Sequence, residues 1–181
     1  MLLRPSMAPK NDSKWSPAYE AALLGMLLGV LFAAKHVLDF IPNVELVSLL
    51  LIVYARHLGR KTYLIALAFA ALECFVWGLT IWSVMYFYVW PILVALTLLI
   101  QKKAGESLIA HCVLSGLFGL SFGALCSIPY IFVSGPAAAF GWWLAGLTFD
   151  AVHGVSNFVV CLVLFKPLDQ LFGRFLNRSS A

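Results

Sequence analysis

Long apolar stretches separated by short polar breaks organise most of this chain. The apolar stretches run over Tyr19–Ala34, Val44–Tyr54, Thr62–Trp77, Val84–Ile100, Ser107–Phe132 and Leu144–Phe165. A membrane-crossing helix needs about 20 predominantly apolar residues. The pattern therefore predicts an all-α integral membrane protein, a bundle of six transmembrane helices. The second stretch is short, and crosses only if Pro42–Ala55 tilts or the bilayer thins around it. A polar amino-terminal tail, residues 1–17, precedes the bundle at 18–166. In the tail at 167–181, Leu168, Leu171, Phe172, Phe175 and Leu176 repeat at helical spacing beside Arg174 and Arg178. That spacing predicts a short amphipathic helix, lying on the inner membrane surface or docked against a cytoplasmic partner.

Composition agrees with this picture. The 181 residues are 62% hydrophobic and 11% charged, whereas soluble domains carry about 25% charged residues. The net charge of +4 does not point to nucleic acid, because the basic residues are scattered between apolar blocks and form no patch. They report topology instead. An amino terminus in the cytoplasm puts Arg4, Lys10, Lys14, Arg56, Arg60, Lys61, Lys102, Lys103, Lys166, Arg174 and Arg178 inside and leaves only Lys35 outside. This is the asymmetry of the positive-inside rule, with both termini cytoplasmic. The first apolar stretch lacks a small-x-small cleavage pair at its end and is expected to stay as a helix. Cys74, Cys112, Cys126 and Cys161 all fall inside apolar stretches without CxxC spacing and read as packing residues.

Under that topology the costly polar residues collect in the outer half of the bundle. FDAVHGVSNFVV, Phe149–Val160, places Asp150, His153 and Asn157 at i, i+3 and i+7 on one helix face. Glu73 and Trp77 end the third helix, Trp82, Tyr86 and Trp90 begin the fourth, and Lys35, His36, Asp39, Asn43 and Glu45 surround the first outer connection. A charge facing lipid costs at least about 2.5 kcal/mol, so these groups predict an outward-opening cavity with aromatic walls. The plainer alternative makes Asp150 and His153 each other's partners and Asn157 an interhelical glue residue. Most of the aromatic run Phe75–Pro91 reads as interfacial belt. His36 with Asp39, and Asp150 with His153, have a spacing that two metal ligands use, but no Cys set, HExxH or ExxH accompanies them, and neither metal nor cofactor is expected. Ser156 sits near His153 without a nucleophile elbow, so no catalytic role is assigned.

Ala21, Gly25, Gly29 and Ala33 form a small-residue stripe on the first helix, suited to close approach by a partner helix or to packing within the bundle. Ser115, Gly119 and Gly123 form a similar seam expected to pack internally. No GxxxxGK[ST] loop is present, so ATP would have to be hydrolysed by a partner. From the first helix through FIPNVELVSLLLIVYARHLGRK (Phe40–Lys61) and LECFVWGLTIWSVMYFYVWP (Leu72–Pro91) to DAVHGVSN and KPL in the last, the chain resembles the substrate-binding S components of prokaryotic energy-coupling factor (ECF) transporters. The resemblance implies a six-helix cell-membrane protein that captures a vitamin or similar micronutrient from outside. It also implies a transmembrane coupling protein and two cytoplasmic ATPases as partners. The family's Ala-x-x-x-Ala contact with the coupling protein matches the stripe at Ala21, Gly25, Gly29 and Ala33, with Gly in the central places; Ala18 and Ala22 give the literal motif in another register. Lys35, His36, Asp39 and Pro42 would belong to a gate. Asn43, Glu45, Glu73, Trp77, Trp82, Tyr86, Asp150, His153 and Asn157 would bind the substrate. A nickel or cobalt cargo is disfavoured, because those relatives have His after the first Met and this chain begins Met-Leu-Leu. A stand-alone ion-coupled carrier, with Glu73 or Asp150 as proton site, is the alternative.

Overall fold

Each break in the apolar pattern carries its own helix start or stop. Ser16 accepts the Tyr19 N–H at 3.3 Å ahead of Pro17. Thr80 and Ser83 exchange backbone N–H bonds with each other's hydroxyls in a reciprocal cap, and Ser107 accepts the Ala110 N–H. Such caps satisfy amide groups that the first helical turn leaves open. The computed structural model describes residues 15–38 and 40–178. Its elements are α1 (Pro17–Val37), α2 (Val47–Leu58), a 3₁₀ turn (Gly59–Lys61), α3 (Thr62–Trp77), α4 (Ile81–Ala104), α5 (Leu108–Ser134) and α6 (Pro136–Arg178), with no strand among the described residues.

Four helices, α1, α4, α5 and α6, are long and apolar enough to cross a membrane. The other two are shorter: α3 has 16 residues, and α2 has 12, a length of about 18 Å at 1.5 Å per residue. α2 is nonetheless the centre of the fold. It touches all five other helices, and every residue from Val47 to Ala55 is buried. A helix that is apolar all round belongs inside, and VSLLLIVYA meets that condition. The Tyr54 hydroxyl donates to the Leu27 carbonyl of α1 at 3.2 Å.

The most extensive pairing is α5 with α6, joined by Gly135 alone, whose φ of 86° reverses the chain where a side chain would strain it. The seam expected in α5 lies in this contact. A Cβ on Gly119 would stand 2.8 Å from the His153 carbonyl oxygen, and one on Gly123 would enter the Asp150 carboxylate. Pro129 cannot donate to the Leu125 carbonyl four residues earlier, and the Tyr88 hydroxyl of α4 fills that place at 2.7 Å.

Two boundaries differ from the sequence expectation. α6 begins at Pro136 rather than near Leu144, because Pro suits a first helical position and the alanines after it propagate the helix. Its other end corrects the tail: residues 167–178 continue α6 through Pro167 instead of forming a separate surface helix. Leu168, Phe172 and Leu176 pack on the core, while Leu171 and Phe175 stay exposed. An ionic clamp fixes this extension. Arg56, at the end of α2, donates to both Asp169 oxygens at 2.9 and 3.3 Å, and His57 approaches the same carboxylate at 2.9 Å.

The stripe on α1 takes no part in the bundle. Ala21, Gly25, Gly29 and Ala33 are exposed, and a Cβ on either glycine would meet nothing within 4 Å. Internal packing is thereby ruled out for this stripe. Gly119→Val is expected to lower stability by about 1–3 kcal/mol through overpacking, seen as a lower unfolding midpoint in detergent. Gly25→Val should change that midpoint little.

Candidate substrate-binding cavity

The carboxyl end of α1, the amino ends of α2 and α4, the later part of α5 and the first half of α6 enclose a cavity of about 550 Å³, within the range of small-molecule sites. Trp82, Tyr86, Trp90, Phe122, Trp142 and Phe149 supply its aromatic walls, and Val47 in the first turn of α2 reaches it. Among the residues singled out from sequence, Lys35, Pro42, Asn43, Glu45, Trp82, Tyr86, Asp150 and His153 all line it. A second cavity of about 440 Å³ is lined by Glu73 and Trp77 and shares Lys35, Trp82 and Tyr86 with the first.

The connection between α1 and α2 closes over this region through bonds to α6. Asn43 adopts φ 60°, a left-handed conformation that Asn tolerates better than most residues, and its carbonyl accepts from the Ser156 hydroxyl at 2.6 Å. Glu45 receives the Ser48 N–H on both carboxylate oxygens, at 3.2 and 3.0 Å. Negative charge is favourable at that helix start. The same carboxylate meets His153 Nε2 at 3.4 Å. Burial works to raise the Glu45 pKa, but the His153 and Ser48 contacts outweigh it and hold the carboxyl below its ordinary 4.5.

Asp150 and His153 do not pair with each other as the plainer sequence alternative had it. Asp150 Oδ1 instead accepts the Gly123 amide of α5 at 2.8 Å, and His153 turns to Glu45 and packs edge-on against Phe122. Asn157 is absent from the cavity wall. It is buried one step deeper, where its amide donates to the Ser48 hydroxyl at 3.2 Å, so the glue reading holds for this residue. Glu73 and His36 approach each other at 3.5 Å beside the second cavity. Trp77 is 62% exposed, as an interfacial anchor would be. Asp39 lies outside the described residues. Among those described, no group of three His, Cys, Asp or Glu is placed to hold a metal ion.

Trp142, Gly146 and Phe149 were not anticipated as wall residues. They continue the Asp150–His153 face upward at helical spacing, and extending that face past Leu144 would have found them. Phe122 and Gly123 follow from the small-residue seam of α5 in the same way. Comparison with protein-family models, with curated proteins and with solved structures finds no match.

Because folding depresses the Glu45 pKa, the stability its carboxylate contributes is complete above about pH 4.5 and declines as pH falls through the folded value. Glu45→Gln should cost about 1–2 kcal/mol at neutral pH. Unfolding measured against pH should show the gap between the two proteins narrowing below pH 4.5; a gap independent of pH would assign the effect to packing.

Proposed function

We propose that this protein is the substrate-binding S component of an ECF-type importer, taking a vitamin-like micronutrient from outside a prokaryotic cell. It delivers that substrate through a transmembrane coupling protein energised by two cytoplasmic ATPases. One observation carries the reading: Asn43, Glu45, Trp82, Tyr86, Asp150 and His153, brought from three separate chain segments, line one cavity beneath the α1–α2 connection. In this reading the cavity end faces outward, all six helices traverse the membrane and both termini are cytoplasmic. The distribution of charge supports that orientation. Lys35 is at the cavity end, whereas Arg56, Arg60, Lys61, Lys102 and Lys103 lie at the opposite ends of α2, α3 and α4.

The exposed stripe Ala21, Gly25, Gly29 and Ala33 gives the coupling protein a surface that it can approach closely. Bonds from Asn43 and Glu45 to Ser156 and His153 hold the α1–α2 connection on α6 over the substrate, and the coupling protein selects the loaded form. ATP hydrolysis stays with the partners.

Affinity purification from the native host in mild detergent, with mass spectrometry of what accompanies the chain, is expected to recover two ATPases and one coupling membrane protein. Recovery of the chain alone, under conditions that keep other ATPase-driven importers whole, would favour an ion-coupled carrier. Gly29→Leu should abolish that assembly while leaving the purified protein's unfolding midpoint unchanged.

A further inference from the structure

Two polar groups on the cavity wall lack the partner that burial demands. Trp90 is 2% exposed, and its indole Nε1, a donor only, is buried without a hydrogen bond. Asp150 is 6% exposed; Oδ1 is occupied by the Gly123 amide, but Oδ2 is buried with no hydrogen bond. Trp143 interacts with this carboxylate from one side of α6, yet its own indole N–H makes no well-formed hydrogen bond. No Lys or Arg among the described residues lies within ion-pair distance of Asp150. Buried polar groups are nearly always satisfied, and one that is not calls for a ligand, an ion or water.

The other carboxylate of the wall is differently placed. Glu45 already has the Ser48 amide and His153. Lys35 lines both cavities together with Trp82 and Tyr86 and so belongs to their boundary. What remains is one anionic acceptor and one neutral donor among aromatic rings that meet tilted or edge-on. Such rings attract cations through their π faces and hold flat molecules by area.

We propose that the occupant of this cavity is an organic cation built on a flat heteroaromatic ring, whose charged N–H group donates to Asp150 Oδ2 and whose ring acceptor takes the Trp90 N–H. The inference rests on reading the cavity as a substrate site and names the chemical class of that substrate. The ligand's charge lies against Asp150, and an anion of the same shape would bring a second negative charge up to that carboxylate and is rejected.

The test uses the purified full chain in lipid nanodiscs and isothermal titration calorimetry at neutral pH. Three probes share one ring system: 4-(aminomethyl)quinoline, whose side-chain amine is protonated there while its ring nitrogen stays free to accept, neutral quinoline, and anionic quinoline-4-carboxylate. Saturable binding of 4-(aminomethyl)quinoline is expected, with quinoline weaker by about tenfold or more and the carboxylate weaker still. Asp150→Asn keeps the shape and the Gly123 bond and should weaken 4-(aminomethyl)quinoline by roughly tenfold while hardly changing quinoline. Trp90→Phe should cost the cation a smaller factor of about three to ten. Equal or tighter binding of quinoline or the carboxylate, no saturable binding of the cation, or an unchanged affinity in folded Asp150→Asn would overturn the proposal. Should that variant not fold, the ranking of the three probes by the unaltered protein decides alone. Binding is read on the isolated chain, so loss of the ATPase partnership would count against the importer reading and leave this result standing.

Discussion

α2 has no side that faces out, and the rest of the bundle is arranged around that constraint. Its middle is apolar on every face, so it contributes no direction of its own and must be located by its ends. At one end, the Glu45 carboxylate caps the first turn and binds His153, while Ser48 meets Asn157. At the other, Arg56 and His57 clasp Asp169. All of these partners lie on α6. The two helices are therefore registered by polar bonds about two turns of apolar packing apart, and the surrounding apolar contacts, which are indifferent to register, fill in between. Removing Arg56 alone would leave the partly buried Asp169 carboxylate with His57 beside it and no guanidinium, so breaking such a pair costs more than the pair contributes.

The same arrangement separates the molecule into two chemically unlike ends. The cavity end holds acids, imidazole and indole around open volume. The other end is basic and closed: Arg56 also donates to the Gly105 carbonyl, Gln101 donates back to Arg56, and Lys61 holds Glu20 at 2.6 Å. The open volume of the cavity end borders the unbonded Asp150 Oδ2 and Trp90 Nε1, while the basic end is laced by ion pairs and also keeps Thr62 Oγ1 and His111 Nε2 buried without a hydrogen bond.

Much of this was legible from residue order. Apolar stretches located every helix, because each break carried a cap or a left-handed glycine, and the i, i+3 spacing put Asp150 and His153 on one wall. What spacing could not convey was which partner each polar group would choose. Asp150 took a backbone amide exposed by the missing side chain of Gly123, a bond that no side-chain pattern announces. Asn157 looked like its neighbours on the same face but sits below the floor, since depth along a helix depends on what packs opposite. Helical spacing in the tail does not say whether it starts a new helix; Leu168, Phe172 and Asp169 gain enough from α2 to keep α6 running through Pro167. The second stretch is visibly short, but no residue in it marks shortness as its role.

That shortness has a geometric result. The 21 residues of α1 run about 31 Å and the 12 of α2 about 18 Å, so a column about 13 Å tall is left above Val47 with no helix in it. Longer neighbours stand around this gap as walls, and the α1–α2 connection roofs it. The cavity is thus a missing piece of helix: a little over two further turns on α2, at about 5.4 Å each, would complete the column and leave nowhere for a ligand to sit.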